Sequence, residues 1–245
     1  MIKLTNTPNM TGVVMSGDGD DFEALYDALH KVIGPDEPVY GLAAAHFRLL
    51  GFCYELRHVR MGNRNVGFQE HGMPAEQMKY MSIVGPTHNL YFSFEMLWPE
   101  LLYISFVLNE FIESYGRNVK KPVHAWDESR AVVRLFQSKV LQLAEETMLE
   151  KSFVSYKKWT DGTSLFSYQF YATFYTQFVD YLNFQWIEMN PEDRPKKLHL
   201  IAKRLYKHST EYEKLEKRIL ALAEEEGVHP TDIAFSDFEA AEIVW

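Results

Sequence analysis

Ten aromatic residues fall within 21 positions: Phe166, Tyr168, Phe170, Tyr171, Phe174, Tyr175, Phe178, Tyr181, Phe184 and Trp186. Water is a poor place for so much ring surface, so this segment must lie inside the fold or inside an interface. Tyr171, Phe174, Tyr175, Phe178 and Leu182 recur at helical spacing and mark one face of a helix. The other rings wrap onto the remaining faces, which predicts a helix over roughly 164–186 that is enclosed on most sides.

Around that helix the chain reads as α+β and predominantly helical. Ile2–Thr5 and Gly12–Met15 have strand character and flank a turn-prone Asn6-Thr7-Pro8-Asn9. Asp20 and Glu23 have the spacing of a capping box. The helix they open carries Phe22, Leu25, Ala28, Leu29 and Ile33 on one stripe and stops at Gly34-Pro35. A second helix is expected over Leu42–Met61. Asn63–Gln69, Lys79–Val84 and Asn89–Phe94 are strand candidates, the last the best because Leu90, Phe92 and Phe94 alternate. Pro99 and Glu100 suit the first turn of a helix reaching Tyr115, which is apolar nearly all round and is expected at the centre of the fold. Asp127–Leu149 is amphipathic, and Thr160–Thr163 is expected to turn. Glu192–Glu226 is one long helix, or two that break at Ser209-Thr210, with Gly227 as a natural stop. Pro230-Thr231-Asp232 suits one last short turn. The apolar tail Ile243-Val244-Trp245 is expected to dock.

No repeat or linker divides the 245 residues. The expectation is a single domain over 1–245. A small antiparallel sheet with two helices (1–95) packs against a multi-helix body (96–245).

The net charge of −9 opposes nonspecific attraction to nucleic acid. The basic stretch Arg194–Lys207, with Lys203 and Arg204, and the acidic stretch Glu224–Trp245 form either solvated faces or two electrostatic patches that meet partners. Arg194, Lys203, Arg204, Lys207 and Trp245 are the partner-binding candidates. Cys53 is the only cysteine, so no internal disulfide or four-cysteine zinc site can form. Its apolar surroundings suggest a small buried hydrophobe rather than a reactive thiol. With no signal peptide pattern and no apolar run near the ~20 residues of a membrane span, a cytoplasmic protein is expected.

Chemistry has few footholds. Glu55 and His58, three apart on a helix, imitate half of a di-metal motif, but a second Glu-x-x-His is missing from the sequence. Asp18, Asp20 and Asp21 suit helix capping better than cation binding. Glu110 and Glu113 on the apolar helix need partners: Arg130 or Arg134, or else an internal polar pocket. No cofactor and no metal is predicted, and catalytic residues reduce to the weak candidates Glu55, His58, Glu110 and Glu113.

Leu4–Gly12, Asp21–Leu29, Leu56-Arg57-His58 and Tyr91–Glu100 resemble segments of an uncharacterised bacterial family, mainly from Firmicutes and mobile elements. That resemblance implies a source and no mechanism. The function expected is a non-enzymatic protein-interaction or regulatory factor, from a mobile-element or stress/defence setting, with a protein partner or a second copy. An enzyme or small-ligand binder with a polar pocket between sheet and helical body is the alternative, and a nucleic-acid-associated protein the next.

Overall fold

A computed structural model describes residues 1–34, 41–118, 123–160, 172–207, 209–233 and 243–245. It is α+β and predominantly helical, with one small antiparallel sheet.

The sheet has four strands: β1 (Lys3–Asn6), β2 (Gly12–Gly17), β3 (Asn65–Glu70) and β4 (His88–Leu97), in the order β1-β2-β4-β3. Register follows the apolar alternation. Val13 lies opposite Met96 and Met15 opposite Phe94, and all four side chains are buried. A one-residue slip would turn that whole set to solvent. Phe94 continues into the helical layer against Phe22 and Phe52.

Helix α1 (Gly19–Ile33) buries the predicted stripe. Its capping box differs from the one expected. Asp18, not Asp20, takes the cap: its backbone is extended and its Oδ1 accepts from the Asp21 N–H at 2.8 Å, while Asp21 Oδ2 accepts from the Asp18 N–H at 3.2 Å. Asp20 already lies within the first turn, where acid favours the dipole. Helix α2 (Ala43–Arg60) follows. Lys79–Val84, expected as a strand, is instead the end of a short helix, α3 (Ala75–Tyr80), which Pro74 starts and a left-handed Ser82 follows. Among the described residues, the first 95 therefore hold three helices rather than two. Met78, the buried residue of α3, sets its orientation.

Strand β4 passes without a loop into α4 (Trp98–Asn118). As expected, α4 is the central helix: Trp98, Leu101, Leu102, Tyr103, Phe106, Val107, Leu108, Phe111 and Ile112 are all buried. Around it lie α5 (Glu128–Thr147), α6 (Glu150–Thr160), α7 (Tyr175–Glu188), α8 (Arg194–Tyr206) and α9 (Thr210–Glu226). Helix α6 has no counterpart among the sequence expectations, because only Phe153 and Tyr156 anchor it amid charged and polar neighbours. The aromatic helix is shorter than its periodicity suggests. It begins at Tyr175, with Phe174 at the N-cap; Phe166, Tyr168, Phe170 and Tyr171 lie outside the described residues. The predicted break is present, with Ser209 capping α9 through the Tyr212 N–H. Gly227 ends α9 at φ +68°, a conformation that costs glycine least.

The tail docks as expected. The Trp245 carbonyl accepts from Asn9 Nδ2 at 2.6 Å and the Val244 carbonyl from Thr11 Oγ1 at 2.6 Å. A Cβ at Gly12 would stand 2.2 Å from the Met96 carbonyl oxygen and 2.6 Å from the Trp245 ring. Gly12→Ala is therefore expected to destabilise by about 1–3 kcal/mol, seen as a melting point lower by roughly 2–10 °C. An unchanged melting point would mean that Trp245 packs elsewhere in solution.

Candidate interaction surface and buried polar centre

The core face of the sheet does not stop where the helices stop. In β4 the residues Leu90, Phe92, Phe94 and Met96 share one face. Opposite them on β3 lie Phe68 (facing Leu90) and Val66 (facing Phe92). Phe94 and Met96 are buried under helices, Phe92 is half-buried, and Leu90, Phe68 and Val66 are exposed. The ribbon thus carries its apolar face beyond the helical layer. From Met61 to Leu90 every residue is exposed except the buried Met78 and the half-buried His71. Phe68 is 72% and Tyr80 91% exposed, and Met81, Ile83 and Val84 are exposed beside them. A two-stranded ribbon is marginal alone in water, and this one projects as an arm.

Helix α2 leads into that arm and is apolar on two sides. One side buries Ala45, Leu49, Phe52, Cys53, Leu56 and Val59. The other sets Phe47, Tyr54 and Met61 in the open at intervals of seven, with Phe47 69% and Tyr54 51% exposed. Gly51 lies on the same stripe. Its backbone does not need glycine, and a Cβ there would meet nothing within 4 Å. Glycine in a helix interior costs about 1 kcal/mol relative to alanine, and no contact among the described residues accounts for it.

The sequence-predicted candidates are scattered over this framework. Glu55 accepts from Arg64 Nε and Nη2, both at 2.9 Å, in an exposed pair. His58 lies tilted against Tyr54 with centroids 4.2 Å apart, and its Nδ1 lies 3.2 Å from Asn63 Nδ2. Glu113 is exposed and sits 3.9 Å from Arg117, while Glu110 is half-buried, so neither is the deeply buried acid that an all-round apolar helix implied. Among the described residues no three His, Cys, Asp or Glu side chains come together as a metal site. Arg194 is 4% exposed and bonded to backbone, so it does not belong to a free basic face. Arg204 Nη2 donates to Glu211 and Gln185 at 2.8 and 2.7 Å. Lys203 and Lys207 are exposed, and Trp245 is held against the β1–β2 turn.

A half-buried ionic centre escaped sequence reasoning. Arg48 on α2 reaches α4 and α7. Its Nε donates to Glu100 Oε1 at 2.8 Å and its Nη2 pairs with the other Glu100 oxygen. The same Nη2 stands 2.7 Å from Asp180 Oδ1, and Nη1 donates to the Thr176 carbonyl at 3.3 Å. Asn183 Nδ2 donates to Glu100 Oε2 at 3.0 Å, and the guanidinium lies 5.9 Å from the Tyr103 ring centre. Burial alone would lower the arginine's pKa. Glu100 and then Asp180 outweigh it and hold the group well above its ordinary value. Burial would likewise raise Glu100, but Arg48 and Asn183 pull it below the usual carboxylate range. Asp180, with fewer bonds to the cation and a second carboxylate nearby, stays raised by burial. Two acids round one base make a three-helix clamp. Glu100 also sits in the first turn of α4, which hid its inward role. Burial pushes the Cys53 thiol up to about 12, so it stays protonated and inert at neutral pH.

A family model described as a domain of unknown function, DUF6904, matches residues 2–245. The chain belongs to this family. No curated protein and no solved structure matches it. Among the described residues, no helix of this DUF6904 member is long and apolar enough to cross a membrane.

Proposed function

We propose that this chain is a non-enzymatic interaction protein that associates with a second copy of itself, the arm of each subunit seated on the outer stripe of α2 in the other. The observation that carries the proposal is the continuation of the sheet's core face, through Val66, Phe68 and Leu90, past the helices that should cover it.

Area and charge favour a second copy as the occupant. At about 200 Å² per fully exposed aromatic side chain, Phe47, Tyr54, Phe68 and Tyr80 leave on the order of 500 Å² outside. With the aliphatic neighbours this approaches the roughly 800 Å² that each partner gives to a standard interface. Between positions 61 and 90, Arg64 and Lys79 balance Glu70 and Glu76, so the arm is neutral in a chain of net charge −9. Two arms can therefore approach without the repulsion the rest of the surface would impose. A two-fold axis uses arm and stripe twice, and the bare Gly51 permits close approach.

Mass-resolved gel filtration tests this. The expected mass is twice the 28.7 kDa of one chain. Phe68→Asp and Tyr54→Asp should each return it to the single-chain value with the far-UV spectrum unchanged. A wild-type chain that stays single at tens of micromolar would sink the self-association reading. A regulatory role, a cytoplasmic site of action and a bacterial mobile-element source belong to the same proposal and rest on the sequence features given above.

A further inference from the structure

A cleft of about 200 Å³ opens between α4, α5 and α6, away from the arm and independent of the self-association reading. Its apolar wall is Phe106, Leu141 and the Tyr156 ring, with Phe106 and Tyr156 in ring contact at 5.9 Å. Its polar wall is Asn109, Arg134, Gln137 and Ser138.

The hydrogen bonds along that polar wall leave a one-sided remainder. Gln137 Nε2 donates to the Ser105 carbonyl at 2.6 Å and to Asn109 Oδ1 at 3.2 Å. Arg134 Nη1 donates to Asn109 Oδ1 and, at 2.9 Å, to Gln137 Oε1. The amide and carbonyl oxygens are thus already served by the wall's own donors. What has no protein partner among the described residues is donors: Arg134 Nε and Nη2 and the Ser138 hydroxyl, on exposed residues at the mouth of the cleft, and Asn109 Nδ2, on a half-buried one. Arg134 forms no ion pair among the described residues. The acid whose charge acts on it, Glu113, sits beside Arg117. The Tyr156 hydroxyl is buried without a partner among the described residues. A wall whose free groups at the mouth are donors, now held by water, is complementary to a ligand made of acceptors, and the Nε/Nη2 edge of a guanidinium matches two oxygens of one carboxylate.

We propose that this cleft binds a small monocarboxylate with a compact apolar body, its carboxylate on Arg134 and Asn109 and its body against Phe106 and Leu141. The size agrees, since a cavity of about 150 Å³ accepts a benzene ring.

Benzoate is the probe, titrated calorimetrically into the full chain, with benzyl alcohol and inorganic phosphate as comparisons. Saturable one-to-one binding of benzoate near a dissociation constant of about 1 mM is expected. Benzyl alcohol, lacking the charge, and phosphate, lacking the apolar body, should bind at least tenfold more weakly. Arg134→Gln should weaken benzoate at least tenfold, and Arg134→Lys should recover only part of that loss, because an ammonium lacks the fork. Leu141→Trp, which keeps Arg134 and fills the cleft, should abolish binding, and thermal melts establish that each variant is folded. Failure of benzoate to saturate overturns the proposal, as does an unchanged affinity in Arg134→Gln. Equal affinity for phosphate would mean an anion site with no preference for an apolar body, and would overturn the assigned ligand class.

Discussion

Exchanging Arg48 for methionine is expected to remove about 2–3 kcal/mol of unfolding free energy, less than a fully buried pair loses because water reaches part of the cluster, yet a large share of the 5–15 kcal/mol typical of a whole domain. The methylene stem is replaced, so packing changes little. What is lost is the cation between Glu100 and Asp180, whose side chains are 17% and 35% exposed. Two carboxylates then face each other with only Asn183 to help. Urea denaturation of the variant gives the number directly, and a midpoint equal to wild type would refute the clamp.

The two acids respond oppositely to pH. Glu100 is held below its ordinary value, so its contribution is present above the unfolded-state pKa of about 4.3 and is lost as pH falls through the lowered folded value. Asp180 is held above its own. Its contribution is present at acid pH, below the unfolded value, and is lost as pH rises through the raised folded value. Glu100→Gln is accordingly expected to be destabilised at neutral pH, by about 2–3 kcal/mol, with the gap narrowing below about pH 4. Asp180→Asn should match or exceed wild-type stability at neutral pH and fall behind it in acid. Denaturation series at both pH values would expose a wrong assignment if the two variants behaved alike.

Arg194→Met is expected to cost about 3 kcal/mol or more. Arg194 is a buried bracket: it donates to the Asn9 carbonyl at 2.6 Å, to Ile187 at 2.9 Å and to Trp186 at 3.3 Å, and it also holds Thr11 Oγ1. Thr11 in turn binds the Val244 carbonyl and, through its own carbonyl, Trp186 Nε1 at 2.7 Å. Methionine would take the arginine's donors from the half-buried Asn9 and Ile187 carbonyls, while the Trp186 carbonyl would keep the Met189 N–H at 3.2 Å. Hydrogen exchange should quicken at residues 9–12 and 186–194 together. Arg194→Lys should resemble the methionine variant more than wild type, since one ammonium cannot span four acceptors on different elements. Full stability of the lysine form would show that charge alone matters here.

Much of the framework is legible in the sequence because period and punctuation are local properties. Val13, Met15, Phe94 and Met96 announce one-sided strands, and the apolar run from Leu101 to Ile112 announces a central helix. The clamp is not local. Arg48 and Glu100 stand 52 positions apart, and each reads alone as an ordinary polar residue on a helix. Spacing points Arg134 toward Glu110 or Glu113, but the neutral amides of Asn109 and Gln137 take it. Alternation shows that Val66 and Phe68 form a strand, yet not that they are uncovered, because exposure depends on where the helical layer ends. Arg194 looks like part of a solvated basic face because nothing in its neighbours reveals the β1–β2 turn that surrounds it.

The bracket at the β1–β2 turn also sets a clock. Thr11 and its acceptor on Val244 are separated by 233 positions. At about 5–20 residues per second of synthesis, the turn is made roughly 10–50 s before that acceptor exists. Throughout that interval the Asn9 side-chain amide and the Thr11 hydroxyl lack the acceptors that the tail supplies. The β2–β4 pairing needs nothing beyond residue 97, so the sheet can be assembled long before the tail fastens its turn.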